Sequence, residues 1–257
     1  MTSPDQQQRW AAEREARRLT RNDESFAHAG LMTMLDDPGL LVAVHPADPW
    51  STAVDFGDDL LHVLPERFTG RTANGVELMG STIVTDSALG RFAQGEKGWR
   101  AYVAIQRHGG VEVGIGASLR YQRQRDDYDG RQIYRLHYIV HAIRVAVESQ
   151  GRALALTLPI EGPFELVVAV PGTGGSLLGG LADGWEDPVS WLDGNTCVTS
   201  EVLVRAQVNE WPTDDDGQSQ LIVSMAHRVC NGWGTTERLF APPNRTPNAG
   251  RLLKTYA

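Results

Sequence analysis

Two places in the sequence bring together residue types capable of chemistry. His137 and His141 are four apart, the spacing at which two imidazoles on one helix face can share a metal ion. Glu148 falls on a similar side of that helix. The zinc-protease pattern also needs a glutamate directly after the first histidine, and Tyr138 stands there. His108 and Glu112 could supply a third ligand, but nothing in the sequence selects either. The pair is therefore read as a helix flank, with no metal assigned.

The second place is Gly172-Thr173-Gly174-Gly175, where backbone amides without side chains can cradle an anion. Known phosphate-binding patterns fail here. The P-loop needs a terminal lysine followed by Ser or Thr, and no lysine lies nearby. The dinucleotide pattern has Leu177 where its third glycine belongs. Ser176 has Gly174 two residues before it but Leu178 two residues after, so it is not a nucleophile elbow. The loop reads as a flexible connection. Gly172, Thr173, Gly174, Gly175 and Trp185 remain the candidate ligand contacts, and no catalytic residue is assigned.

Other clusters fit plain structural roles. The acidic runs Asp127-Tyr128-Asp129-Gly130 and Asp214-Asp215-Asp216-Gly217 lack the first aspartate of a calcium loop, since Arg125 and Pro212 stand there. Turn chemistry accounts for both. Arg120, Arg123, Arg125 and Arg131 make a local basic surface beside Asp126, Asp127 and Asp129. Trp185, Trp191, Trp211 and Trp233 crowd the last third, as buried anchors or as a binding surface.

The elements that position these residues centre on Trp99 to Gly175. Trp99 to Gln106 alternates with period two and predicts a half-buried strand. Gly109-Gly110 and a second alternating run, Val111 to Ile115, complete a hairpin. Ile133, Leu136, Val140, Ile143 and Val147 are spaced 3, 4, 3, 4 and predict a helix over 133–149 that stops at Gly151. Strands are expected over Ala153–Leu158 and Phe164–Val170. Upstream, Leu40 to Val44 reads as a buried strand. Val54 and Phe56 read as strand, followed by a helical turn at Leu60–Leu64. Val76, Leu78 and Ile83 mark strand, and Ala88–Ala93 marks another. Downstream, Leu177, Leu178 and Leu181 suggest a helical turn, Val202 to Val208 a strand, and 219–231 a helix. The sum is an α+β class: antiparallel sheet covered by two main helices, with two sheet-then-helix halves as one arrangement. The domain reading is a charged helix or linker over 1–24, one α+β domain over 25–241 with a division near 151 as an option, and a loose tail over 242–257.

Composition narrows the function classes. The chain has 257 residues, 24 basic and 32 acidic, for a net charge of −8. That balance argues against broad nucleic-acid binding. No apolar run reaches the length that spans a bilayer, and Met1–Arg21 lacks a signal-peptide pattern. Two cysteines, Cys197 and Cys230, fit a reducing cytoplasm better than a disulfide framework.

One set of stretches carries a resemblance. Trp99 through Gly110 with Gly114 and Gly116, Glu161 through Leu166, Pro171 through Gly180, and Ala182 through Trp185 together resemble an accessory region of actinobacterial proteins. Those proteins carry an AlbA-type (Schlafen-related) DNA-binding domain ahead of it. The resemblance covers roughly 95–240, and the DNA-binding domain itself is not apparent in this chain. It implies an accessory module from a regulatory context. The favoured expectation is a cytoplasmic, non-catalytic module that senses a ligand or binds a protein partner in regulation or defence, with no cofactor and no membrane. The competing expectations are a hydrolase or transferase with its site near His137, His141 and Gly172–Gly175, and an assembly protein that oligomerises through the N-terminal helix.

Overall fold

The computed structural model describes residues 30–46, 54, 56, 59–65, 67–68, 76–77, 82–85, 87–116, 119–122, 130–157, 160, 162–179 and 195–235. The charged helix expected near the N-terminus, Trp185, Trp191, the acidic loop at 127–129 and the tail at 242–257 lie outside these residues.

In chain order the elements are β1 (Leu40–Pro46), α1 (Asp59–His62), β2 (Arg67–Phe68), β3 (Val76–Glu77), β4 (Thr82–Val84), β5 (Ala88–Gln94), β6 (Trp99–Gln106), β7 (Val111–Ile115), β8 (Arg120–Gln122), β9 (Gln132–Arg135), α2 (Leu136–Thr157), β10 (Phe164–Pro171), β11 (Leu177–Gly179), β12 (Glu201–Val208) and α3 (Asp215–Cys230). The fold is α+β. Seven strands form one antiparallel sheet in the order β12-β10-β1-β7-β6-β5-β4. Strands from both sides of residue 151 thus share one sheet, and residue 151 lies within α2.

The expected hairpin is β6 and β7, paired from Ala101 opposite Ile115 to Ile105 opposite Val111. It is not half-buried. Both faces are covered, and β7 is buried at every position. Val42, Val103, Ile105, Val113 and Val168 join the core shared with α2 and α3. Leu41, Ala43, Tyr102 and Ala104 join a second cluster with Met32 and Leu35 on the other face. There the Tyr102 hydroxyl donates to the buried Glu112 carboxylate at 2.6 Å. Alternation persists because each side of the pleat meets a different layer.

Helix α2 departs most from expectation. Ile133 belongs to β9, and the helix runs through Gly151 to Thr157, over the stretch expected as strand. A glycine inside a helix costs about 1 kcal/mol relative to alanine. Here the missing side chain leaves room for a neighbour, because a Cβ on Gly151 would lie 2.7 Å from Gln218 Nε2 of α3. The buried line is Leu136, Ile139, Ile143, Ala146 and Ala153, whereas Val140 is only partly buried. Gln150, also buried, clamps the hairpin turn. Its Oε1 accepts from the Val111 amide and its Nε2 donates to the Gly109 carbonyl, both at 3.0 Å.

Helix α3 begins four residues earlier than expected. Asp214 caps it, accepting from the Gly217 amide at 2.7 Å, so the acidic run is a helix start as much as a turn. Leu177 and Leu178 are strand, not a helical turn, because β11 pairs parallel with β9. Val54 and Phe56 fall outside any strand, although the helical turn after them exists as α1.

Candidate functional site

Strand β10 ends at Pro171, and the glycine loop turns there beside the start of α2. The Tyr134 hydroxyl, two residues ahead of that helix, donates to the Pro171 carbonyl at 2.7 Å. Gly172 and Gly175 both take positive φ, +71° and +73°, where glycine is favoured. The loop then binds itself to the segment before β12. The Thr173 amide donates to Ser200 O at 3.1 Å, the Gly175 amide to Cys197 O at 2.8 Å, and the Ser176 amide to Thr173 O at 3.0 Å. Thr173 Oγ1 donates to Thr199 O at 2.8 Å, and Trp233 Nε1 donates to Ser176 Oγ at 3.0 Å. Amides that point at carbonyls within the chain are not aimed at an anion, so these bonds make the loop a structural joint. Arg120 lies against the same joint. It pairs with Asp37 and lies with its guanidinium carbon 6.0 Å from the Tyr134 ring centre. Burial raises the Tyr134 phenol above its ordinary value, with Arg120 pulling the other way. Of the basic surface read from the sequence, Arg123 and Arg125 lie outside the described residues.

His137 and His141 lie in the first two turns of α2. His137 is buried, with its ring centre 4.4 Å from that of Tyr138 and the two planes tilted by 36°. Burial holds the His141 imidazole down at about 4, aided electrostatically by its neighbours Arg144 and His137. The pair is thus neutral at His141 near pH 7, but the Arg144 guanidinium beside it repels a metal dication. Among the described residues no group of three or more His, Cys, Asp or Glu is placed to hold a metal ion. Cys197 and Cys230 are free and buried, and burial pushes the Cys230 thiol up to about 12, against a smaller opposing effect of its hydrogen bond with Thr235.

The other end of α2 is open. A cleft of about 550 Å³ lies between its last turns and the first turn of α3, lined by residues that include Glu148, Gly151, Arg152, Trp211, Asp215 and Gln218. The helical repeat puts 148, 151, 152 and 155 along one face of α2. Trp211 forms the inner wall. Its Nε1 donates to the Val147 carbonyl at 3.2 Å and its ring meets Phe164 edge-on at 5.4 Å. Gln218 Nε2 donates to the Pro212 carbonyl at 3.1 Å. Leu154 and Ala155 give an apolar lip.

The charges in this cleft are unevenly matched. Arg144 Nε reaches Glu148 at 2.5 Å, while Arg152 stands 3.9 Å from the same carboxylate and is half exposed. Glu148 therefore belongs to Arg144, and Arg152 is held only weakly. Asp214 performs the capping of α3, which leaves the Asp215 carboxylate at the cleft without that task.

The sequence reading missed this site because it ended the helix at Gly151. That placed Leu154 and Ala155 in a strand, Arg152 in the connection ahead of it and Asp215 in a turn. The signal that could have found it was the spacing of Glu148, Arg152 and Ala155, which continues one helical face past the glycine. No protein-family model, no curated protein and no solved structure matches the chain.

Proposed function

We propose that this chain is a non-catalytic module that senses a ligand or binds a partner, in a regulatory or defence setting, and that it does so at the α2–α3 cleft. The observation that carries the reading is the cleft itself. An open cleft of about 550 Å³ with an aromatic wall, an apolar lip and several polar groups is of the size that small molecules occupy. A cytoplasmic location suits two free, buried thiols. Among the described residues no helix is long and apolar enough to cross a membrane. The competing enzyme reading, built on His137, His141 and Gly172–Gly175, has less behind it, since the loop's amides at Thr173, Gly175 and Ser176 already serve backbone carbonyls.

The test is a thermal-shift panel of free amino acids, nucleotides, inorganic phosphate and polyamines on the full chain and on Trp211→Phe and Arg152→Gln. The expected result is a compound that raises Tm in the wild type and loses that effect in one or both variants. Absence of any response, with no compound protecting the cleft in hydrogen exchange, would remove the ligand-sensing version and leave partner binding.

A further inference from the structure

The charges in the α2–α3 cleft specify more than a generic ligand. This inference rests on the cleft being the binding site. Arg152 and Asp215 come from different helices and line the same cavity. Arg152 Nη2 forms a long i,i+4 pair with Glu148 Oε2 at 3.9 Å, while Arg144 holds the other oxygen of that carboxylate at 2.5 Å, so this weak pair does not use up the donors of Arg152. Nor does Arg152 lie in the last turn of α2, which carries no basic residue, so complementing the helix dipole does not account for it. Asp215 is relieved of capping by Asp214, and with Asp216 it lies in the first turn of α3, where a negative charge is favoured. One cation, Arg152, and two anions, Glu148 and Asp215, thus line one cavity, next to the apolar lip of Leu154 and Ala155 and the Trp211 wall.

We infer that the cleft takes a zwitterion of the free α-amino acid class with an apolar side chain. Its carboxylate docks on the Arg152 guanidinium, which offers paired donors in a planar fork. Its ammonium group docks on the Asp215 carboxylate, and its side chain lies against Leu154, Ala155 and Trp211. Neither an isolated acid nor an isolated amine can satisfy both poles, so each half should bind far more weakly than the whole.

Titration calorimetry and thermal shift with L-leucine, isoamylamine and 4-methylvalerate test this directly. L-leucine is expected to raise Tm, while the amine and the acid, each carrying one charge, bind at least about tenfold more weakly, the loss of one charge-assisted contact. Arg152→Gln and Asp215→Asn should each weaken L-leucine about tenfold or more while shifting the unliganded Tm by no more than a few degrees, since each removes only a surface charge contact, the long pair to Glu148 or the first-turn charge of α3. Equal binding of one half-molecule, or L-leucine binding that ignores both substitutions, would overturn the zwitterion assignment. If L-leucine gives nothing while a nucleotide or polyamine responds in a Trp211-dependent way, the zwitterion fails and the ligand-sensing reading survives. If no probe responds at all, both fail.

Discussion

The two ends of α2 solve opposite problems. At its start, the glycine loop, Tyr134, Ser176 and Trp233 pair their polar groups with one another and with the Cys197–Ser200 segment. At its far end, Arg152 and Asp215 line a cleft, and Arg152 is held there only by a long pair, 3.9 Å to Glu148. A region whose donors and acceptors are consumed internally gains rigidity and loses recognition, because every hydrogen bond to a ligand must first break one already made. A region that leaves charges at a cavity wall keeps them for an incoming molecule. The glycine-rich composition that draws the eye to the first region is needed for its turn geometry, at the positive φ of Gly172 and Gly175.

The sharpest way to break this comparison is to remove one tryptophan from each end. Trp233 is fully buried, donates to Ser176 and lies 5.6 Å from the Tyr134 ring. Trp233→Ala should cost about 3–5 kcal/mol, as large aromatic truncations in cores do. Trp211 is 7% exposed at the cleft wall, and Trp211→Ala should cost less, about 3 kcal/mol. Urea unfolding measures both. If Trp211→Ala destabilises to the same extent as Trp233→Ala, the cleft end supports the fold no less than the loop end does, and the contrast between them falls.

The same comparison shows what was legible in the sequence. The hairpin, β10 and β12 could be read because period-two patterns survive even when both faces are buried, and β1 because Leu40 to Val44 is apolar throughout. The core of α2 was legible through its apolar repeat, but its end was not. Gly151 is a stop signal in local terms, and only the close approach of Gln218 from a segment far away in sequence explains its place inside the helix. Long-range packing also decides β11, whose three residues become strand by pairing with β9 rather than by their own propensity. The cleft was hidden for the same reason. Its walls come from two helices, and its charges acquire meaning only when Arg144 is seen to occupy Glu148.

Acid should probe the first turns of α2. The folded His141 titrates at about 4, below its ordinary value of 6.5. Above pH 6.5 the imidazole is neutral in both folded and unfolded chains and contributes no pH dependence. As pH falls through 6.5 the unfolded chain gains a proton that the folded one refuses, so stability drops, and the loss is complete at about pH 4. The full loss is roughly 3 kcal/mol for a shift of this size. Urea unfolding at pH 7 and at pH 4.5 should show wild type losing about 2–3 kcal/mol more than His141→Gln across that interval. Parallel losses in the two proteins would mean that His141 is solvated, and would reopen the helix start as a site.

The smallest effects come from two glycines, and their contrast is the finest test. Gly175 sits at φ +73° with open space around a new side chain. Gly175→Ala should therefore cost only backbone strain, about 1 kcal/mol, and leave any cleft ligand unaffected. Gly151 differs in kind. Alanine there gains about 1 kcal/mol of helix propensity, but its Cβ must push Gln218 Nε2 from 2.7 Å and disturb the bond to the Pro212 carbonyl, which returns a similar amount. Unfolding free energy should stay within about 1 kcal/mol of wild type. Affinity for L-leucine should nevertheless fall, because Gln218, which must shift, lines the cleft. An unchanged affinity with unchanged stability would place the ligand away from the Gly151 floor, toward the lip formed by Leu154 and Ala155.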